Sequence, residues 1–245
     1  MLTKTDDELK PNVACVLLFD DEPQGSLDTR CAVKGYRLRT TETEYRREQL
    51  QEDPASIDGP VEIVILKAIE KVKEYIDGAS FKDGDNLVRL SYPAEALKEI
   101  LVNVVIHRDY SLNDDVYMKV YDNRIEILSL GKLPGFMTIN NLYEERFSRN
   151  PNFVRILHRL PNPVNHNTGE GLDTAKNELR KAGLVALLFE KRGNNFVVTV
   201  KHQTIASLED IILKYFDEVP DGQLTNKLTR QLSGEADMRK VKKAL

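Results

Sequence analysis

The stretch from Glu99 to Tyr110, EILVNVVIHRDY, follows an apolar helical pattern broken at Glu99 and Asn103, four residues apart. On a half-buried helix, residues i and i+4 lie nearly above one another, so the carboxylate and the amide oxygen would point into the same space. One Mg²⁺ with its phosphates and waters fits such a pair. The same spacing also fits the polar edge of an ordinary amphipathic helix.

The rest of the chain sets a frame around that helix. Residues 12–19 and 30–38 read as strands joined by the polar stretch DDEPQGSLDT. Two strands alone cannot close a core, so they must pack on the rest of the chain, on a partner or on upstream sequence. Residues 40–59 are polar and acidic and read as a loop ending at Asp58-Gly59-Pro60. From Pro60 to Ile76, Val61, Val64, Ile65, Ala68, Ile69, Val72 and Ile76 recur with helical spacing. A short strand at 87–91 and a helix at 93–108 follow, then strands 116–121 and 124–128 joined by Asp122-Asn123. Helices at 150–160 and 172–182, the latter ending at Gly183, lead to strands 184–190 and 195–201. This order predicts an α+β fold, helices packed on one face of a mixed sheet. From 206 onward the pattern changes to three helices, 206–218, 224–232 and 235–245, with Ser233-Gly234 between the last two, as in a helix-turn-helix.

Composition excludes several classes. With 30% charged and 41% hydrophobic residues, the balance is that of a soluble globular protein. Apolar runs fall far short of a bilayer span, and the first residues, MLTKTDDELK, are too polar for a secretory signal, so a cytoplasmic protein without membrane contact is expected. Cys15 and Cys31 lie in apolar runs and read as free thiols. The formal charge is −4, yet Gln223 to Leu245 holds six Lys/Arg against two Asp/Glu, a basic tail after an acidic body. Arg239, Lys240, Lys242 and Lys243 on the third helix could meet DNA phosphates, or form a solvated basic face. The histidines lack zinc-ligand spacing, and no Gly-x-x-x-x-Gly-Lys-Ser/Thr phosphate loop is present, which argues against a helicase motor.

Three polar segments follow one another in the middle of the chain: Glu99 and Asn103, then Ser129-Leu130-Gly131-Lys132-Leu133-Pro134, then Asn165-His166-Asn167-Thr168-Gly169-Glu170-Gly171 at a helix start. A Gly-x-Gly at a helix N-terminus offers backbone N–H groups and a positive dipole end to an anion. His107, Arg108 and Asp109 could touch phosphate; alternatively Arg108 and Asp109 fix the helix exit and His107 complements its C-terminal dipole. Lys132 fits either a phosphate contact or a solvated turn lysine.

With EILVNVVIHRDY as a Glu-x-x-x-Asn box, DNRIEILSLGKLPG as a glycine turn, RNPNFVRIL as a middle helix and NTGEGLDTAKNEL as a phosphate lid, residues 91–202 resemble the GHKL-type (Bergerat-fold) ATPase domain. This domain occurs in bacterial proteins described as transcriptional regulators or RecG-like helicases. LLFDDEPQ and DTRCAVKGYR resemble the closing strands of the Schlafen/AlbA-type domain usual upstream in that family. The resemblance implies a two-layer α/β sandwich and three parts: a partial AlbA-like segment and linker (1–59), a GHKL ATPase-like domain (60–204) and a partial winged helix-turn-helix (205–245). It further implies that Glu99 orients or activates water, that Asn103 binds Mg²⁺, and that Ser129, Gly131, Thr168, Gly169 and Gly171 bind the nucleotide.

Three positions depart from the GHKL pattern. Ser129 stands where an Asp usually reads the adenine amino group, Leu133 replaces the second glycine of the turn, and Ile106 replaces an acidic residue three positions after the Asn. The expectation is an ATP- and Mg²⁺-binding, DNA-binding regulator, with ATP hydrolysis undecided by the sequence. The alternatives are a nucleotide-free scaffold or dimerisation module, and a true Mg-dependent ATPase of a DNA-processing or defence assembly. The unpaired first strands and the absent wing suggest a piece of a longer protein, one that could self-associate.

Overall fold

The structure, a computed structural model, describes residues 2–5, 8–77, 80–83, 86–89, 92–161, 163–164, 171–202, 212, 215–216 and 222–233. It divides into two compact units, Met1–His202 and Gln203–Leu245.

A six-stranded mixed sheet organises the first unit. Its strands are β3 (Val33–Arg37), β4 (Ala55–Ile57), β7 (Val116–Val120), β8 (Arg124–Leu130), β9 (Leu188–Arg192) and β10 (Asn195–Lys201), in the spatial order β4-β3-β7-β8-β10-β9. β3 and β7 run parallel; every other neighbouring pair is antiparallel. Two hairpins stand apart from this sheet, β1 (Leu2–Thr5) with β2 (Glu8–Pro11) and β5 (Ser80–Asp83) with β6 (Asn86–Arg89).

The register aligns Met118 with Ile127 and Ile127 with Val198, placing Val116, Met118, Val120, Ile125, Ile127, Val198 and Val200 in one buried cluster. Strand alternation selects these residues, since a period of two turns every second side chain to the same face. Against the sheet pack α3 (Val61–Asp77) and α4 (Ala94–Ile106), which also pack on each other. All seven apolar residues that the 60–76 pattern singles out are buried, as is Tyr75. α6 (Gly171–Lys181) packs on α4, and α5 (Pro151–Leu157) adds Phe153, Val154 and Leu157 to the same core. The C-terminal end of α6 has a Schellman arrangement: Gly183, at φ +70°, follows the last turn while Leu184 N–H donates to Leu179 O at 2.9 Å. That turn delays β9, which starts at Leu188 rather than at 184.

Residues 12–19 correct the expectation of a strand. They form helix α1 (Val13–Phe19), because Asn12 Oδ1 accepts the Cys15 N–H at 2.9 Å as an N-cap and Val16, Leu17 and Leu18 are buried. An unbroken apolar run of this length carries no period, so the cap decides. A short helix, α2 (Pro23–Leu27), follows in the polar stretch. The segment 40–59 is also more than a loop: β4 pairs with β3, and Leu38 bridges Leu50. Thus β3 and β4 complete the edge of the same sheet that carries β7 to β10.

In the second unit, Ile212, Tyr215 and Phe216 are helical and α7 spans Asn226–Ser233. Thr225 caps α7, its hydroxyl accepting the Leu228 N–H at 3.2 Å and its carbonyl the Thr229 N–H at 2.8 Å. The third expected helix, with Arg239, Lys240, Lys242 and Lys243, lies outside the described residues. No helix among the described residues is long and apolar enough to cross a membrane.

The two faces of α3 should respond oppositely to truncation. Ile65 is fully buried and Leu66 is 47% exposed. In urea unfolding, Ile65→Ala should cost about 2–5 kcal/mol, and Leu66→Ala should stay within about 1 kcal/mol of native. Equal losses would show that the helix is rotated from this placement.

Candidate functional site

α4 is buried on almost every side: Ala96, Leu97, Ile100, Leu101, Val102, Val104, Val105 and Ile106 are all in the core. Glu95, Glu99, Asn103 and His107, spaced four apart, make a polar stripe along it, and all four line one cavity of about 660 Å³. That volume falls within the roughly 300–1,000 Å³ of small-molecule sites. The remaining walls come from the glycine turn after β8, the first turn of α6, Phe196 and Val198 of β10, and the 132–149 loop.

Close packing fixes the position of the α6 N-terminus. A Cβ on Gly171 would lie 2.5 Å from Glu99 Oε2 and 2.7 Å from Asn103 Nδ2. Glycine therefore lets the first turn of α6, with its positive dipole end, lie directly over the Glu99/Asn103 pair. Asn103 Nδ2 donates to Glu99 O at 2.9 Å. The carbonyl can only accept, so the amide nitrogen is committed to the helix and Oδ1 remains as a hard-oxygen ligand. The Asn103 atom against Gly171 is Nδ2, so the oxygens of the pair that could hold a divalent cation are Asn103 Oδ1 and the Glu99 carboxylate.

The glycine turn is held from three sides. Ser129, buried, donates its hydroxyl proton to Val104 O at 3.1 Å, so its oxygen retains acceptor capacity only. Gly131 adopts φ +105°, where L side chains are rare; its N–H donates to Asn194 O at 3.0 Å. A Cβ there would lie 2.8 Å from Asp109 Cβ and 3.2 Å from Arg149 Nη1. Gly131 thus provides both backbone freedom and close approach.

The α4 exit is built mostly as the sequence suggests, with one correction. Arg108, 1% exposed, donates through Nη2 to Arg30 O at 2.7 Å, to Leu112 O at 3.0 Å and to Asp114 O, and it stacks over the Tyr110 ring. Asp109 pairs with Arg149, and Ser111 together with Arg149 holds its carboxyl below the usual range. His107 does not serve the helix dipole as a cation. Burial, reinforced by the nearby Arg149 guanidinium, lowers its pKa to about 4, so it is neutral at pH 7.

The structure thus brings together Glu99, Asn103, Ser129, Gly131 and Gly171 around one cavity. Thr168 and Gly169 lie outside the described residues. Beyond the glycine turn, the 132–149 loop, which no sequence pattern singles out, also lines the cavity through Met137, Leu142, Tyr143, Arg146, Phe147 and Arg149. Burial and Asp173 push the Tyr143 phenol up to about 12, leaving it a neutral hydrogen-bond donor. Irregular loops give no periodic signal; the Arg149-Asn150-Pro151 triplet ahead of α5 was the available clue.

Residues 113–200 match the family described as "Putative ATP-dependent DNA helicase recG C-terminal". This match supports a RecG-like ATPase domain and spans β7 to β10, the glycine turn and α6, but begins after α4. Among solved structures, the DIP2311 protein from Corynebacterium diphtheriae is similar, with a TM-score of 0.63 and 16% identity over 98% of this chain. The chain spans 42% of that protein's length, and the likeness concerns the fold. No curated protein matches the chain.

Two outcomes follow from this geometry. Gly171→Ala should lower the melting temperature and displace α6, although Ala ordinarily gains about 1 kcal/mol over Gly in a helix interior; a rise in stability would contradict the close approach. His107 and His202, both depressed to about 4 from 6.5, are neutral in the fold but charge once unfolded. Stability is therefore full above pH 6.5 and falls as pH drops toward 4, by about 1.4 kcal/mol per pH unit for each proton taken up. Denaturant titrations between pH 7.5 and 4.5 should show that His107→Gln removes about one proton from that slope.

Proposed function

We propose that this chain binds ATP with Mg²⁺ in the α4 cavity and belongs to a DNA-binding regulator of transcription. The observation that carries the nucleotide reading is the convergence of Glu99, Asn103 and Gly171 in a cavity that also contains Ser129 and Gly131. Asn103 Oδ1 would hold the cation, and the amides of the first turn of α6 would receive phosphate oxygens. Asn103 Oδ1 is the oxygen that would hold Mg²⁺, whose contribution would be to neutralise phosphate charge. Ser129 Oγ, acceptor-only, suits the exocyclic amino group of adenine, as a weaker partner than a carboxylate. Gly131 lets the base approach the backbone. Glu99, on the same helix face one turn before Asn103, is placed to orient a water near the terminal phosphate.

The DNA part of the proposal rests on the basic residues after Gln223 and on capped helix α7. Such contacts give steeply salt-dependent affinity. Coupling between the two activities requires ATP to favour one arrangement of the chain over another.

Calorimetry with ATP and Mg²⁺ on the native chain, Asn103→Ala and Glu99→Gln tests the site. Native chain should bind, and Asn103→Ala should weaken binding by about tenfold or more, or about 1.4 kcal/mol. Glu99→Gln should keep binding while any hydrolysis is lost. Undetectable binding in all three would favour the scaffold alternative.

A further inference from the structure

The loop from Lys132 to Arg149 forms a large part of the cavity wall, yet its only regular element is one 3-10 turn, Ile139–Asn141. Loops of more than about 12–15 residues with so little structure need tethers if they are to hold a surface in place. This loop is organised internally by Thr138 and Asn141, whose groups exchange hydrogen bonds, Thr138 N–H to Asn141 Oδ1 at 2.6 Å among them. Phe136 and Phe147 meet edge to face at 6.2 Å, both well exposed. Neither feature joins the loop to the sheet or to α4.

Tyr143, in the middle of the loop, meets Phe189 of β9 at 5.8 Å and has Lys176 of α6 over its ring; the junction to α4 is made at the neck, by Arg149 and Asn150. Arg149, at the loop's last position, donates through Nη2 to the carbonyl of Lys132 at its first position, and through Nη1 pairs with Asp109 just beyond α4. The adjacent Asn150 donates Nδ2 to Ile106 O at 2.8 Å and to Arg108 O at 2.9 Å, covering carbonyls that the end of α4 leaves open. Asp109 N–H in turn donates to Leu130 O at 3.1 Å. Gly131 passes beneath, where any Cβ would meet both Asp109 and Arg149. A planar guanidinium with donors in a fixed fork can satisfy a carboxylate and a carbonyl together, which a lysine does less well.

We infer that Arg149 is a positioning residue: it clasps the neck of the 132–149 loop to the α4 exit, keeps the loop closed as the cavity's outer wall, and thereby sets how long a nucleotide stays bound. The residence-time role rests on the nucleotide reading above. The clasp itself stands on the contacts at the neck. Arg149 acts through the loop and through Asp109, so its removal changes escape from the cavity more than encounter with it.

The experiment uses the full chain with Arg149→Met, Arg149→Lys and Asp109→Asn, the last as a milder break of the same contact. Amide hydrogen exchange without nucleotide reports loop opening. Stopped-flow release of fluorescent methylanthraniloyl-ATP with Mg²⁺ reports residence. In Arg149→Met, exchange at 133–148 should accelerate while β8 and β10 stay protected, and release should quicken about tenfold with association within about twofold of native. Asp109→Asn should shift both in the same direction, and Arg149→Lys should fall between native and Met. A merely structural role would instead deprotect the core strands and would not be recovered in part by lysine. Unchanged loop exchange in Arg149→Met overturns the clasp. A native chain that binds no nucleotide overturns the residence-time role with the reading it rests on, and the exchange result then still decides the clasp.

Discussion

A helix enclosed by protein on nearly all sides can keep a polar stripe only where the surrounding elements leave a cavity beside it, and α4 imposes this constraint on the rest of the unit. Its apolar residues hold it against β8, α3 and α6, each full burial of a large side chain contributing about 1.5–3 kcal/mol. Its remaining stripe, Glu95 through His107, is polar and lines the cavity. Burying such groups dry would cost more than one helix gains. The glycine turn, the α6 N-terminus and the 132–149 loop therefore arch over the stripe and leave a cavity beside it.

The placement of two glycines follows from that requirement. Gly171 brings a helix N-terminus against Glu99 and Asn103; Gly131 brings a turn against Asp109 and Arg149. In each case the backbone comes closer than any side chain permits, once at the middle of the polar stripe and once just beyond the C-terminal end of α4. One approach supplies positive potential and the other fixes the wall. His107, desolvated and close to Arg149, stays neutral between them and adds no charge to the cavity floor.

Much of this was legible in the sequence where periodicity is strong. The buried face of α3 is the set of residues its spacing selects, and the hairpin of β7 and β8 turns at Asp122-Asn123 as expected. Glu99 and Asn103 were legible because two polar residues interrupt an apolar helix at one spacing. The failures have a common origin in signals that are not periodic. Residues 12–19 are apolar without alternation, and the Asn12 cap, a local hydrogen bond, made them a helix. β4 is three residues long and holds its place by pairing with β3 across an intervening loop, a contact that composition does not encode.

The wall of the cavity was hidden for a further reason. Arg149 is separated by 40 residues from Asp109 and by 17 from Lys132. Its role becomes visible only once the turn after β8 and the start of α5 are brought to the same end of α4. A loop closed by its own first and last residues gains little from local propensity, since closing it costs entropy that grows slowly with length. What stabilises closure is the burial of its inner side chains on the cavity, Leu142 above all, and the ion pair at the neck. An ion pair with both side chains partly exposed is worth little alone. Here it acts together with the Lys132 carbonyl contact and the Asn150 cap, so the neck resists opening as a network and not as separate bonds. Opening and closing of that wall can then be governed from the end of α4, the same helix that carries Glu99 and Asn103.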